Sequence, residues 1–128
     1  MYLRFVVEEK HPSSQRRLGI FHVLRYLRDD GEFSTEELNQ MNQIMDWFDI
    51  HLNTPDIFKH SNRKRSESKA ISWFKDTANE HISKFRKIVA VLKSHGQNVE
   101  MIRTDKPGYI VYEDDYQIVA KPFTETKT

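Results

Sequence analysis

At 128 residues and 15.3 kDa the chain has the length of one domain. Its 38% apolar content, 30% charged content and mean hydropathy of −0.73 exclude an ordinary membrane span, and Cys 0 excludes a disulfide framework, a thiolate nucleophile and Cys-ligated zinc. The formal net charge of +1 conceals a segregation: residues 29–56 hold eight acids and no Lys or Arg, whereas residues 57–93 hold ten bases and three acids.

In chain order, residues 2–8 alternate as a strand, with Leu3, Phe5 and Val7 on one face. Arg4 interrupts the apolar stretch and no signal-peptide pattern is present, so the cytoplasm is the expected compartment. After the break at His11–Ser14, residues 14–29 read as a helix carrying Leu18, Ile20, Val23, Leu24 and Leu27, closed by Gly31. Ser34 and Glu37 form a capping box for a second helix, with Phe33 as a hydrophobic staple. Leu38, Met41, Met45, Phe48 and Leu52 give this helix its stripe before Pro55.

Residues 53–66 read as irregular. A third helix is predicted from Ser66 or Ser68 to about His95, with Ile71, Phe74, Ala78, Phe85, Ile88, Val89 and Leu92 inward. Its length would be roughly 40 Å, so it either spans the molecule or breaks near Thr77–Asn79. Val99–Arg103, Tyr109–Tyr112 and Gln117–Lys121 read as strands, joined by a turn at Asp105–Gly108 and a hairpin at Glu113–Tyr116. The resulting β-α-α-α-β-β-β order predicts an α+β domain over residues 1–123, an antiparallel sheet with three helices on one face, and a frayed tail at 124–128.

The chemical signals are sparse. No phosphate-binding glycine loop, nucleophile elbow or His-Glu-x-x-His motif occurs, and no cofactor is expected. Asp46, Asp49 and His51 share a helix end, which reads as an exposed acidic face, and no metal site is expected. Asp76, Glu80 and His81 are the candidate acid–base group, against a reading as ion pairs with neighbouring lysines. Arg63, Lys64, Arg65, Lys69, Trp73 and Lys75 are the candidate nucleic-acid contacts, since basic side chains neutralise phosphates and aromatics stack bases. A pI near 8.0 and the acidic segment weigh against that role.

Gly108-Tyr109-Ile110-Val111-Tyr112-Glu113 resembles the last conserved strand of poly-ADP-ribose polymerases. In that family a catalytic Glu precedes the run. Gly108 stands there in this chain, and strand composition accounts for the likeness. Ile71–Asp76 and Pro107–Asp114 are similar to stretches of a small family of uncharacterised bacterial proteins, which implies a bacterial cytoplasmic origin and no activity. Charge segregation then makes a non-enzymatic interaction module the leading expectation, associating with itself or a protein partner through charged or apolar helix surfaces. Nucleic-acid binding and a small enzyme are the alternatives, and no membrane partner is expected.

Overall fold

The computed structural model describes residues 1–10, 17–55 and 70–128. Its sheet is organised around β1 (Tyr2–Lys10), whose apolar residues reach both faces. Tyr2 and Leu3 pair with Lys75 and Phe74 of β3 (Ile71–Lys75) on one edge, and with Thr104 and Arg103 of β4 (Val99–Thr104) on the other. Further along its length β1 also pairs with β2 (Arg17–Gly19). Beyond β3 lies β6 (Gln117–Lys121), and then β5 (Tyr109–Glu113). All five pairings are antiparallel.

Among the described residues, three helices enclose the first face. Ile20, Val23, Leu24 and Leu27 of α1 (Ile20–Asp29) form one buried stripe at helical spacing. Met41, Ile44 and Phe48 form the stripe of α2 (Thr35–His51), and Phe85, Ile88, Val89 and Leu92 lie in that of α3 (Asn79–Ser94). These stripes meet Leu3, Phe5, Val7 and Phe74 in one core. Phe85 packs against the rings of Phe5, Phe21, Phe48 and Phe74 at centroid distances of 5.1–5.8 Å. The α+β class and the helical layer are as expected.

The caps follow the sequence. Glu37 N–H donates to Ser34 Oγ at 3.2 Å, and Ser34 N–H to Glu37 Oε1 at 3.0 Å, completing the capping box. Gly31, at φ +72°, closes α1: its N–H reaches Arg28 O while Glu32 N–H reaches Leu27 O. His95 Nε2 donates to both Glu37 oxygens at 3.0 and 3.1 Å, so the end of α3 meets the start of α2. Hydrogen bonds from Ser34 N–H and from His95 hold the Glu37 carboxyl below its ordinary pKa.

Two assignments are corrected. Residues 17–19 are strand rather than helix, and α1 begins at Ile20. The predicted third helix is two elements, a strand at Ile71–Lys75 and a helix at Asn79–Ser94, parted at the Thr77–Asn79 break. The 3–4 spacing of Ile71, Phe74 and Ala78 fits a helix by coincidence. β3 lies between β1 and β6; Ile71 and Trp73 enter the second core and Phe74 the first, so the alternation that begins at Ile71-Ser72-Trp73 is broken at Phe74.

The second face carries Val6, Ile71, Trp73, Ile102, Ile118 and Ala120, all buried. Residues 124–128, expected to fray, make defined contacts with the folded unit. Arg4 Nη1 donates to Thr128 O at 3.0 Å, Thr126 Oγ1 donates to Lys106 O at 3.1 Å, and Lys127 pairs with Glu100 at 3.3 Å. Glu100 also receives Arg17, and these two cations hold its carboxyl below the ordinary pKa.

Candidate interaction surface

The end of the sheet is a hairpin fixed at both ends by its own chemistry. Gly108 lies at φ +125°, where a Cβ would stand 2.0 Å from Lys121 O and 2.7 Å from Pro122 Cα. Only glycine allows the start of β5 to lie this close to the end of β6. At the other end, Asp114 Oδ1 accepts from Tyr116 N–H and Gln117 N–H at 2.9 and 3.0 Å. Its Oδ2 accepts from Tyr112 Oη and Gln117 Nε2 at 2.9 and 3.1 Å. Burial pushes the Asp114 carboxyl up, but these four donors outweigh it and hold the pKa below the ordinary aspartate value.

Gln117 then ties the hairpin to the rest of the molecule. It is buried, yet Nε2 donates to Asn53 O at 2.7 Å and Oε1 accepts from Ser72 Oγ at 3.1 Å. The Tyr116 ring stacks on His81 at 4.2 Å, and His81 Nε2 donates to His51 O at 2.8 Å. Lys75 pairs with Glu113 at 2.6 Å, a contact that raises the lysine pKa. The hairpin is therefore held in place by its contacts with the rest of the molecule.

On this fixed frame the apolar side chains of β5 point outward. Tyr109 is 69% exposed, Ile110 46% and Val111 44%, and Tyr116 at the turn is 42% exposed. Among the described residues only Met1 and Ile50 join them as exposed large apolar side chains, so the hairpin holds four of six. Ile50 lines a hollow of about 410 Å³ with His51, Asn53, Asp114, Asp115 and Tyr116, which extends this surface toward the end of α2. Among the described residues β5 pairs with β6 alone, leaving its other edge without a neighbouring strand. Between Ile110 and Tyr112 the register shifts, and Val111 is the extra residue of a bulge.

The residues singled out in the sequence are placed differently. Arg63, Lys64, Arg65 and Lys69 lie outside the described residues. Trp73 is 1% exposed, and with its indole in the second core it offers no open face to a base. Lys75 is engaged with Glu113. Asp76 pairs with the Met1 ammonium at 3.5 Å, Glu80 is exposed, and His81 is buried with its Nε2 occupied. The three do not converge on one cavity: Asp76 lines an open hollow with Arg86 and Arg103, in which Glu80 and His81 take no part. His51 stacks on Trp47 at 4.3 Å and its Nδ1 donates to Trp47 O at 2.8 Å. Among the described residues no three His, Asp or Glu groups are placed to hold a metal, and no helix is long and apolar enough to cross a membrane.

Helix α2, within the acidic segment, and helix α3, within the basic one, run antiparallel. Lys84 Nζ lies 5.4 Å from the centre of the Trp47 ring, and His95 meets Glu37 at the other end. The hairpin itself escaped the sequence reading as a surface. Its signals were the Tyr-Ile-Val-Tyr run with no Lys or Pro inside it, and an Asp positioned to accept from the N–H groups two and three residues on. No family model, curated protein or solved structure matches the chain.

Proposed function

We propose that this protein is a non-enzymatic association module that assembles with further copies of itself, and that its contact surface is the β5–β6 hairpin. The exposed run Tyr109–Val111 on an edge strand carries this reading. Apolar edges are ordinarily blunted by charge, proline, a bulge or a covering element; β5 carries the bulge at Val111, yet its run Tyr109–Tyr112 holds no charge or proline. The apolar stripes of the helices are spent on the core, which favours the sheet edge over the helix surfaces as the contact. The hairpin's internal bonding favours binding, because little conformational freedom is left to lose. The absence of cysteine suits a reducing compartment, and a bacterial cytoplasm is the proposed setting.

Sedimentation equilibrium across concentration tests the reading. The wild type should rise above 15.3 kDa with concentration. Ile110→Lys with Val111→Lys should hold it at the monomer mass with the melting transition retained. A wild type that stays monomeric throughout, or a folded double variant that associates equally well, refutes the proposal.

A further inference from the structure

We infer that the hollow between the start of α3 and the end of β4 binds a phosphate dianion, free or as the terminus of a small phosphate ester, between Arg86 and Arg103. The hollow measures about 510 Å³, and it shares no residue with the β5–β6 hairpin. Both arginines stand on regular elements. Asn79, Ile82 and Arg86 recur at spacings of three and four, so one side of α3 carries all three. Ile82 enters the core, and Asn79 and Arg86 line the hollow beside it. Arg103 lies opposite Leu3 in the β1–β4 ladder, so its side chain leaves the sheet on the same face as that core residue. Arg86 is held in orientation by its neighbours: its guanidinium lies 5.6 Å from the centre of the Phe5 ring, and Nη2 donates to Met101 Sδ at 3.7 Å. Neither contact neutralises its charge.

Unanswered charge sets this hollow apart. Among the described residues Arg17 and Arg28 each meet a carboxylate, whereas Arg86 and Arg103 meet none. Asp76 is the one carboxylate in the lining, and the Met1 ammonium takes it at 3.5 Å. Two guanidinium charges therefore face the hollow without an anion, beside the Thr77 hydroxyl and the Asn79 amide. Arg25 also lacks a carboxylate partner, but it lines a different hollow, in which one base is matched by one acid, Asp49. Two guanidinium forks suit a phosphate: each offers parallel N–H donors to a pair of oxygens, and two cations balance a dianion. A single carboxylate would fill one fork and leave the other charge unmet. The volume falls within the ~300–1,000 Å³ of small-molecule sites, which leaves room for the organic body of an ester.

Isothermal titration calorimetry on the full chain tests this, with inorganic phosphate, glycerol phosphate and succinate as probes in a low-salt buffer. At least one phosphate probe should bind saturably with a Kd of ~1 mM or tighter. Succinate should bind on the order of tenfold more weakly than that probe. Tighter binding of glycerol phosphate than of phosphate makes the ester the ligand, and any other order makes it the free anion. Arg103→Gln and Arg86→Gln should each weaken binding on the order of tenfold or more, since each removes a charge-assisted contact. Arg25→Gln removes the same charge elsewhere and should leave binding unchanged, which separates a site from general attraction. Arg103 is exposed on an edge strand, so its variant decides the matter should Arg86→Gln fail to fold. The inference is overturned if neither phosphate probe binds saturably, if succinate binds equally well, if folded Arg103→Gln binds like the wild type, or if Arg25→Gln loses as much. A single-stranded oligonucleotide that binds more tightly than both phosphate probes, and loses its affinity in Arg103→Gln, overturns it in favour of a nucleic-acid surface. None of these results bears on the hairpin, so self-association stands or falls separately.

Discussion

Replacing Gly108 with alanine puts a methyl group where the structure has backbone. The ideal Cβ would meet Lys121 O at 2.0 Å, Lys121 C at 2.6 Å and Pro122 Cα at 2.7 Å. None of these atoms ends a flexible side chain, so β5 must move away from β6. The cost has two parts. An L-residue at φ +125° carries about 1–3 kcal/mol of backbone strain. Forcing the strands apart adds an overpacking cost of about 1–3 kcal/mol. Together these give about 2–6 kcal/mol, or roughly 6–30 °C in melting temperature for a domain of this size. Gly31→Ala is the internal control: φ is +72° there, but nothing lies within 4 Å of the added Cβ. It should cost about 1–2 kcal/mol. Thermal denaturation of both variants beside the wild type isolates the steric part, and Gly108→Val should exceed Gly108→Ala. If Gly108→Ala melts with Gly31→Ala, the close approach to Lys121 is absent and the hairpin geometry argued from it is wrong.

Ser34→Ala should destabilise by about 1 kcal/mol in urea unfolding, since the first turn of α2 loses its hydroxyl acceptor. Phe85→Ala should cost about 3–5 kcal/mol, because the 5% exposed ring sits among four others; a nearly unchanged denaturation midpoint would contradict that placement. Asp114→Asn should cost about 1–3 kcal/mol by leaving Tyr112 Oη and Gln117 Nε2 facing an amide in place of a carboxylate oxygen. The native Asp114 pKa is depressed, so the carboxylate's contribution is complete above the ordinary aspartate pKa and is lost as pH falls through the lowered native value. The asparagine variant should therefore show a shallower loss of stability on acidification, and an unchanged acid limb would mean that Asp114 is not held as a carboxylate.

Legibility in the sequence tracked how local each signal is. The capping box at Ser34 and Glu37 and the glycine ending α1 are complete within a few residues, and both stand where the sequence placed them. β6 is likewise bounded by its own turn and Pro122. β3 was missed because its identity depends on neighbours distant in the chain. Ile71 lies opposite Ala120 and Phe74 opposite Leu3, and buried residues on both faces leave a five-residue strand with only a broken alternation. Trp73, a candidate base-stacking residue on the expected helix, instead enters the second core because it lies on a central strand. The hairpin's acceptor residue, Asp114, has a short-range signature, but the exposure of Tyr109, Ile110 and Val111 is set by β5 being the last strand, which no local pattern specifies.

The central position of β1 has a consequence for how the chain is made. Leu3 lies opposite Phe74 on one side and Arg103 on the other, so about a hundred residues separate the first strand from its longest ladder. On a ribosome adding about 5–20 residues per second, Leu3, Phe5, Val6 and Val7 wait roughly 5–20 s after synthesis before β4 can reach them. Helices α1 and α2 are finished during that interval, yet the sheet surface against which they pack is not. The β1–β4 ladder must therefore wait until residues 99–104 have emerged, and nascent fragments that stop short of residue 99 leave one edge of β1 bare. Chaperones that hold extended apolar segments would find their target in β1.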